Sequence, residues 1–132
     1  MLLVDAQGLP VACRTASAAP AEITLVEDLA AQVTVEGGPV PLVADRAYDS
    51  DPHRQRLKAR GFDLVCPHRR GRKRPATQDG RKLRRYRRRW KVERTISWLG
   101  NYRRLLVRHE CHVHMFQAFI TLACLMLCLK RL

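Results

Sequence analysis

The sequence predicts a mixed α/β domain with helices packed on a mixed sheet. Short apolar runs bounded by Gly, Pro and Asp alternate with helix-forming stretches through the first 66 residues. The first two runs flank a turn containing Gly8, so a hairpin is expected there. From residue 81 onward helix formers dominate, which adds helices to an alternating β/α pattern. The length of 132 residues fits one domain, 1–132, and an apolar fraction of 46% excludes wholesale disorder. Aromatics make up only 6%, so the core must draw on Leu, Val, Ile and Ala.

Leu2, Leu3 and Val4 form the first expected strand, and residues 11–15 the second. Residues 18–32 read as a helix, with Pro20 near its first turn and Ile23, Val26, Leu29 and Ala30 at helical spacing. Gly37, Gly38 and Pro39 end that region. Residues 40–44 are a buried strand that stops at Asp45. Asp51 is expected to cap the next helix, with Pro52 at its first position and Gly61 after its end. Residues 62–66 give another short strand, closed by Pro67. A basic loop and helix then occupy residues 67–99, with a breaker at Gly100. An apolar helix over about 113–129 closes the pattern and is expected in the core. Its apolar run, residues 116–129 with Gln117 and Thr121 inside it, would span roughly 21 Å, short of a bilayer core of roughly 30 Å, so no membrane partner is expected.

Charge is unevenly placed. Residues 1–66 carry net −3, residues 67–94 net +12 and residues 95–132 net +4. A positive stretch of that density attracts a polyanion through counterion release, and nucleic acid is the expected partner. The expected contacts are Arg69, Arg70, Arg72, Lys73, Arg74, Arg81, Lys82, Arg85, Arg88, Arg103 and Arg104. Arg at this density favours phosphate contact over base reading. The five cysteines, Cys13, Cys66, Cys111, Cys124 and Cys128, include no C-x-x-C pair, so reduced and mostly buried thiols in a cytoplasmic protein are expected. His109, Cys111, His112 and His114 match no standard zinc spacing. Trp90 and Trp98 are expected to pack on the sheet rather than stack on bases.

Two carboxylates stand out. Asp45 follows a buried strand, the place where ligands and catalytic groups gather in α/β sheets. It either caps a turn or holds a hard cation such as Mg²⁺, which needs only one or two carboxylates plus phosphate oxygens. Glu93 lies among Arg and Lys residues, with Tyr86 and Arg89 on nearly the same helical face. It either pairs with Arg89 four residues earlier or serves a metal. Asp49 and Asp51 read as helix-start residues.

Together these residues resemble a known family. Tyr86-x2-Arg89-x3-Glu93 is similar to the first three terms of the Y-x2-R-x3-E-x6-K signature of bacterial insertion-sequence transposases of the DDE type. Residues 44–50 resemble the segment around their second catalytic Asp. Residues 90–99 with Tyr102, Arg103, Arg104 and Leu105 resemble the segment around their catalytic Glu. Residues 4–10 resemble the hairpin after their first catalytic strand. Gly100 stands where the signature has Lys, and Arg103 or Arg104 is the candidate replacement.

The resemblance implies a ribonuclease H-like fold in which Asp, Asp and Glu hold two Mg²⁺ (or Mn²⁺) ions. It implies cleavage and strand transfer at the terminal repeats of an insertion sequence and into target DNA. Asp45 would be the second carboxylate and Glu93 the third, with Tyr86 and Arg89 in support. The first carboxylate belongs on a strand ahead of the hairpin, and Asp5 matches the hairpin turn instead. The fold is therefore expected to be incomplete, its first catalytic strand missing, and the chain to be a truncated or frameshifted portion, inactive alone. An upstream transposase segment and a dimer on DNA are the expected partners, in a nucleoid-associated bacterial setting. The alternatives are a non-catalytic DNA-binding protein that modulates full-length transposase and an RNA- or ribosome-associated basic protein.

Overall fold

The computed structural model describes residues 1–17, 19 and 22–131. They gather into two compact units, one made of residues 1–33 and 91–132 and the other of residues 34–90.

In the first unit, β1 (Leu2–Val4) pairs antiparallel with β2 (Pro10–Cys13). The turn between them is held by Asp5, whose carboxylate accepts the amides of Gln7 and Leu9, both at 2.8 Å. Gly8 supplies the left-handed conformation at φ +91° that other residues resist. Asp5 is thus a turn residue, as the sequence suggested.

Ala18, Pro20 and Ala21, part of the helix expected over residues 18–32, lie outside the described residues. The remainder is a 3-10 turn (Glu22–Leu25) leading into α1 (Val26–Ala30), which buries Val26, Leu29 and Ala30. The helix is shorter than expected because no side chain caps its start and a β-branched stretch, Val33-Thr34-Val35, follows it.

α4 (Trp90–Leu99) reaches the hairpin turn through three side chains. The Lys91 ammonium donates to the Ala6 carbonyl, Arg94 to that of Gln7 at 2.7 Å, and the Thr95 hydroxyl to that of Gly8 at 2.5 Å. Thr95 is fully buried, and its hydroxyl is also 3.0 Å from the Lys91 carbonyl. A Cβ at Gly8 would come within 2.8 Å of the Arg94 guanidinium, so this close approach needs glycine as well. After α5 (Arg103–Leu106), α6 (Val113–Leu129) lies on β2. Expected as a core helix, α6 buries only one face, with Ala123, Cys124 and Leu127, and leaves Leu122, Leu125, Met126 and Leu129 exposed. Among the described residues no helix is long and apolar enough to cross a membrane.

In the second unit, β3 (Val40–Val43) runs parallel to β4 (Phe62–Val65), in register from Val40 opposite Phe62 to Val43 opposite Val65. Parallel strands need a crossover, and α2 (Asp51–Ala59) provides it, burying Leu57 against the strand pair. Gly61, at φ +83°, ends the crossover, and its carbonyl accepts the Val40 amide at 2.8 Å. The cap of α2 is Ser50 rather than Asp51, which sits inside the first turn with Pro52. Both residue types suit that position, so the sequence left a one-residue ambiguity. Where a single mixed sheet was expected from the sequence, the described residues form two two-stranded sheets, one antiparallel and one parallel. Each strand is three or four residues long and pairs with its neighbour in sequence.

The long helix expected from residue 81 to 99 is helical throughout but not uniform. It comprises α3 (Gly80–Leu83), a 3-10 stretch (Arg84–Arg89) and α4.

Thr95→Val tests the turn anchor. The Gly8 carbonyl would lose its buried donor, and a loss of about 1–3 kcal/mol is expected in chemical denaturation. Unchanged stability would show that the hydroxyl does not hold the turn.

Candidate active site

Asp45 sits directly beyond β3, and the structure joins the two sequence readings of it. One carboxylate oxygen caps the 3-10 turn Arg46–Tyr48, accepting the Ala47 amide at 2.8 Å. The other faces the Arg89 guanidinium at 3.9 Å. The carboxylate remains 41% exposed, so it is open to a ligand. Arg89 in turn lies 5.8 Å from the centre of the Tyr86 ring. Within this unit Asp45, Tyr86 and Arg89 therefore come together. Glu93 is exposed in the first turn of α4 and belongs to the other unit.

The strongest charge cluster was not foreseen. Asp49, expected only near a helix start, has a side chain just 2% exposed. Its carboxylate accepts Arg54 at 2.9 Å, His68 Nδ1 at 3.0 Å and the Arg69 amide at 2.8 Å, with Arg72 at 3.4 Å. The Thr77 amide donates to His68 Nε2 at 3.2 Å, so that nitrogen carries no proton and Nδ1 is the donor to Asp49. Burial works to raise the Asp49 carboxyl. The Arg69 amide, the Arg54 guanidinium and His68 outweigh it and hold the group well below the usual carboxylate range.

Arg54 also bonds the Leu64 carbonyl at 2.7 Å and the Cys66 thiol at 3.0 Å, tying α2 to the end of β4. Burial pushes the Cys66 thiol up to about 11. Arg72 grips Asp51 with two bonds of 2.8 and 2.9 Å, which lowers the Asp51 carboxyl. Arg69 donates to the Ala47 carbonyl at 2.6 Å, beside Asp45.

Of the residues expected to meet nucleic acid, Arg69 and Arg72 are thus engaged inside the unit. Lys82 pairs with Asp63 at 2.8 Å. Arg70, Lys73, Arg74, Arg81, Arg85 and Arg88 are exposed. In the first unit Arg103 is exposed, while Arg104 pairs with Glu110 at 3.3 Å and lies over the Phe119 ring. A Cβ at Gly100 would sit 3.1 Å from the Ser97 carbonyl, a tight fit for any side chain at the place of the signature Lys. Neither tryptophan packs as expected. Trp90 is 50% exposed, and Trp98 carries the guanidiniums of Arg94 and Arg131 over its ring at 4.5 and 3.6 Å.

A family model, "Transposase DDE domain", matches residues 1–129. The chain belongs to the DDE transposase family. It is 34% identical over 135 residues to the protein named "Putative transposase for insertion sequence element IS402" of Burkholderia cepacia. That match covers 96% of this chain and 60% of the relative, so the chain spans less than two thirds of the relative's length. No solved structure matches the chain significantly.

Members of this family generally use a divalent metal. Asp45, in one unit, is a part-exposed carboxylate of the kind a hard cation takes, and Glu93, in the other, is an exposed acid. Among the described residues no cluster of three or more His, Cys, Asp or Glu could hold a metal. The two carboxylates are thus suitable in kind, and a closed ligand set is not built from these residues.

The Asp49 cluster has a measurable consequence. A depressed carboxyl stabilises the fold above its unfolded-state pKa, and that contribution fades as pH falls below about 4 toward the folded-state value. Asp49→Ala should remove it and leave Arg54 buried without its acid, at a cost of roughly 3–5 kcal/mol in denaturant unfolding at pH 7. The cost should shrink below pH 4, and a pH-independent effect would refute the assignment.

Proposed function

We propose that residues 1–132 supply two of three catalytic carboxylates and a DNA-gripping surface for metal-dependent strand cleavage and transfer at the ends of an insertion sequence. The observation that carries the reading is Asp45 at the carboxyl end of a parallel strand, with Arg89 of Tyr86-x2-Arg89-x3-Glu93 beside it. A turn cap alone requires neither the parallel strand end nor that arginine.

In this reading the core is ribonuclease H-like. Asp45 and Glu93 hold Mg²⁺ or Mn²⁺ together with phosphate oxygens and a first carboxylate that is none of residues 1–132. When bound, the metal supplies charge stabilisation for in-line displacement at phosphorus. Asp45 is aimed by its bond to the Ala47 amide, which leaves its second oxygen for the ion. Arg89 balances Asp45 before DNA arrives and takes a phosphate oxygen afterwards. Tyr86 steadies that guanidinium. Arg70, Lys73, Arg74, Arg81, Arg85 and Arg88 hold the DNA backbone, and Arg103 adds to them. The completing carboxylate comes from an upstream transposase segment, and two chains act as a dimer on the two element ends.

The test uses a duplex carrying the element's terminal repeat, with Mg²⁺. Residues 1–132 should bind without cutting. Cutting should appear when a polypeptide bearing the first catalytic Asp is added, and Asp45→Asn or Glu93→Gln should reduce it at least a hundredfold. Cutting that survives both substitutions would overturn the assignment, and cutting by residues 1–132 alone would overturn the need for a supplied carboxylate.

Binding itself should weaken steeply with salt. Arg70→Ala and Lys73→Ala should each lower the log–log salt slope by about 0.9, as expected for one phosphate contact. A slope that both substitutions leave unchanged would remove this loop from the interface.

A further inference from the structure

One face of α6 is used by none of the chemistry above. Gln117, Thr121, Cys124 and Cys128 recur at helical spacing and lie toward β2, whereas the opposite side of the helix is exposed Leu and Met. Gln117 accepts the Thr15 amide at 2.6 Å and donates to the Cys13 carbonyl at 3.2 Å. The Cys13 sulfur lies 3.3 Å from Gln117 Nε2 and 3.7 Å from the Thr121 hydroxyl, one helical turn before Cys124 on the same face of α6. Cys128, one turn on, points its sulfur to the Pro10 carbonyl at 3.6 Å.

Two cysteines 111 residues apart in sequence thus share one cleft, and Gln117 fixes the strand that carries Cys13. An open cleft lined by Arg14, Cys13, Gln117, Cys124 and Cys128 leads to the pair. Cys13 is part exposed and Cys124 buried. Burial, with Cys13 adjacent, pushes the Cys124 thiol up, so Cys13 is the sulfur that meets a solvent oxidant.

We propose that Cys13 and Cys124 are a thiol pair that a hydroperoxide converts to a disulfide, locking β2 to α6. Cys13 gives up its proton, and its sulfur attacks one peroxide oxygen. The O–O bond breaks, and the departing hydroxide takes a proton to become water. Cys13 is left as a sulfenic acid. The Cys124 sulfur then attacks the Cys13 sulfur, the S–S bond forms, the S–O bond breaks, and the second water leaves with the Cys124 proton. Two thiols are oxidised by two electrons, and one peroxide is reduced to two waters. In a reducing cytoplasm the pair stays as thiols, so the lock reports oxidative conditions.

The test treats the full chain with hydrogen peroxide, blocks remaining thiols with N-ethylmaleimide and maps the peptides by mass spectrometry. A Cys13 peptide joined to a Cys124 peptide, two hydrogens lighter than their sum and released by dithiothreitol, is expected. Cys111→Ser should keep this product and Cys13→Ser should lose it. The locked chain should melt higher by roughly 5 °C, because the bond closes a long loop. Both thiols remaining alkylated, Cys13 pairing with Cys128, or Cys13 passing to higher oxides with Cys124 free would each overturn the proposal.

Discussion

A carboxylate almost wholly withdrawn from water stays ionised only if donors replace its hydration, and Asp49 is supplied with them from several parts of one unit. Arg54 comes from α2, while His68, the Arg69 amide and Arg72 come from the segment after β4. That single acid therefore fastens the start of a strongly basic loop to the crossover helix. Like charges at the density of residues 67–94 would otherwise drive the loop outward. Arg72 on Asp51 and Arg69 on the Ala47 carbonyl extend the same fastening to the neighbourhood of Asp45.

This arrangement divides the arginines into two kinds. Arg54, Arg69 and Arg72 build the unit, and their guanidiniums are committed to acids and carbonyls. Arg70, Lys73, Arg81, Arg85 and Arg88 project to solvent and carry the excess charge, and the exposed Arg74 also reaches Asp51 at 3.4 Å. The division matters for function because exposed cations release counterions on meeting phosphate, while internally paired ones contribute by shape. Arg89 stands between the kinds, near Asp45 on one side and Tyr86 on the other.

Much of the local structure was legible because it follows from period and punctuation. The hairpin, β3, β4, the extent of α2 up to Gly61, and α6 all lie where apolar runs and breakers place them. Asp45 was legible because it ends an apolar run. Asp49 was not, because its partners lie 5 to 23 residues away and nothing local distinguishes it from a helix-start acid. The 3-10 stretch Arg84–Arg89 was also missed. Five of its six residues are Arg, and like charges at α-helical i, i+4 spacing repel, a cost that propensity alone omits. The single mixed sheet failed for another reason: strand-like segments fix where strands are, not which pairs join. The half-exposed α6 shows that an apolar helix sequence does not say how many of its faces are covered.

The central claim is that Asp45 and Glu93 serve a divalent metal on bound DNA. Its most direct test is Mn²⁺ uptake by the chain on a short duplex, followed by electron paramagnetic resonance of the free ion. Wild-type complexes should bind Mn²⁺ at least tenfold more tightly than Asp45→Asn or Glu93→Gln complexes that retain equal DNA affinity. Equal Mn²⁺ affinity in all three would contradict the account, leaving Asp45 as a turn cap and the chain as a DNA-binding surface.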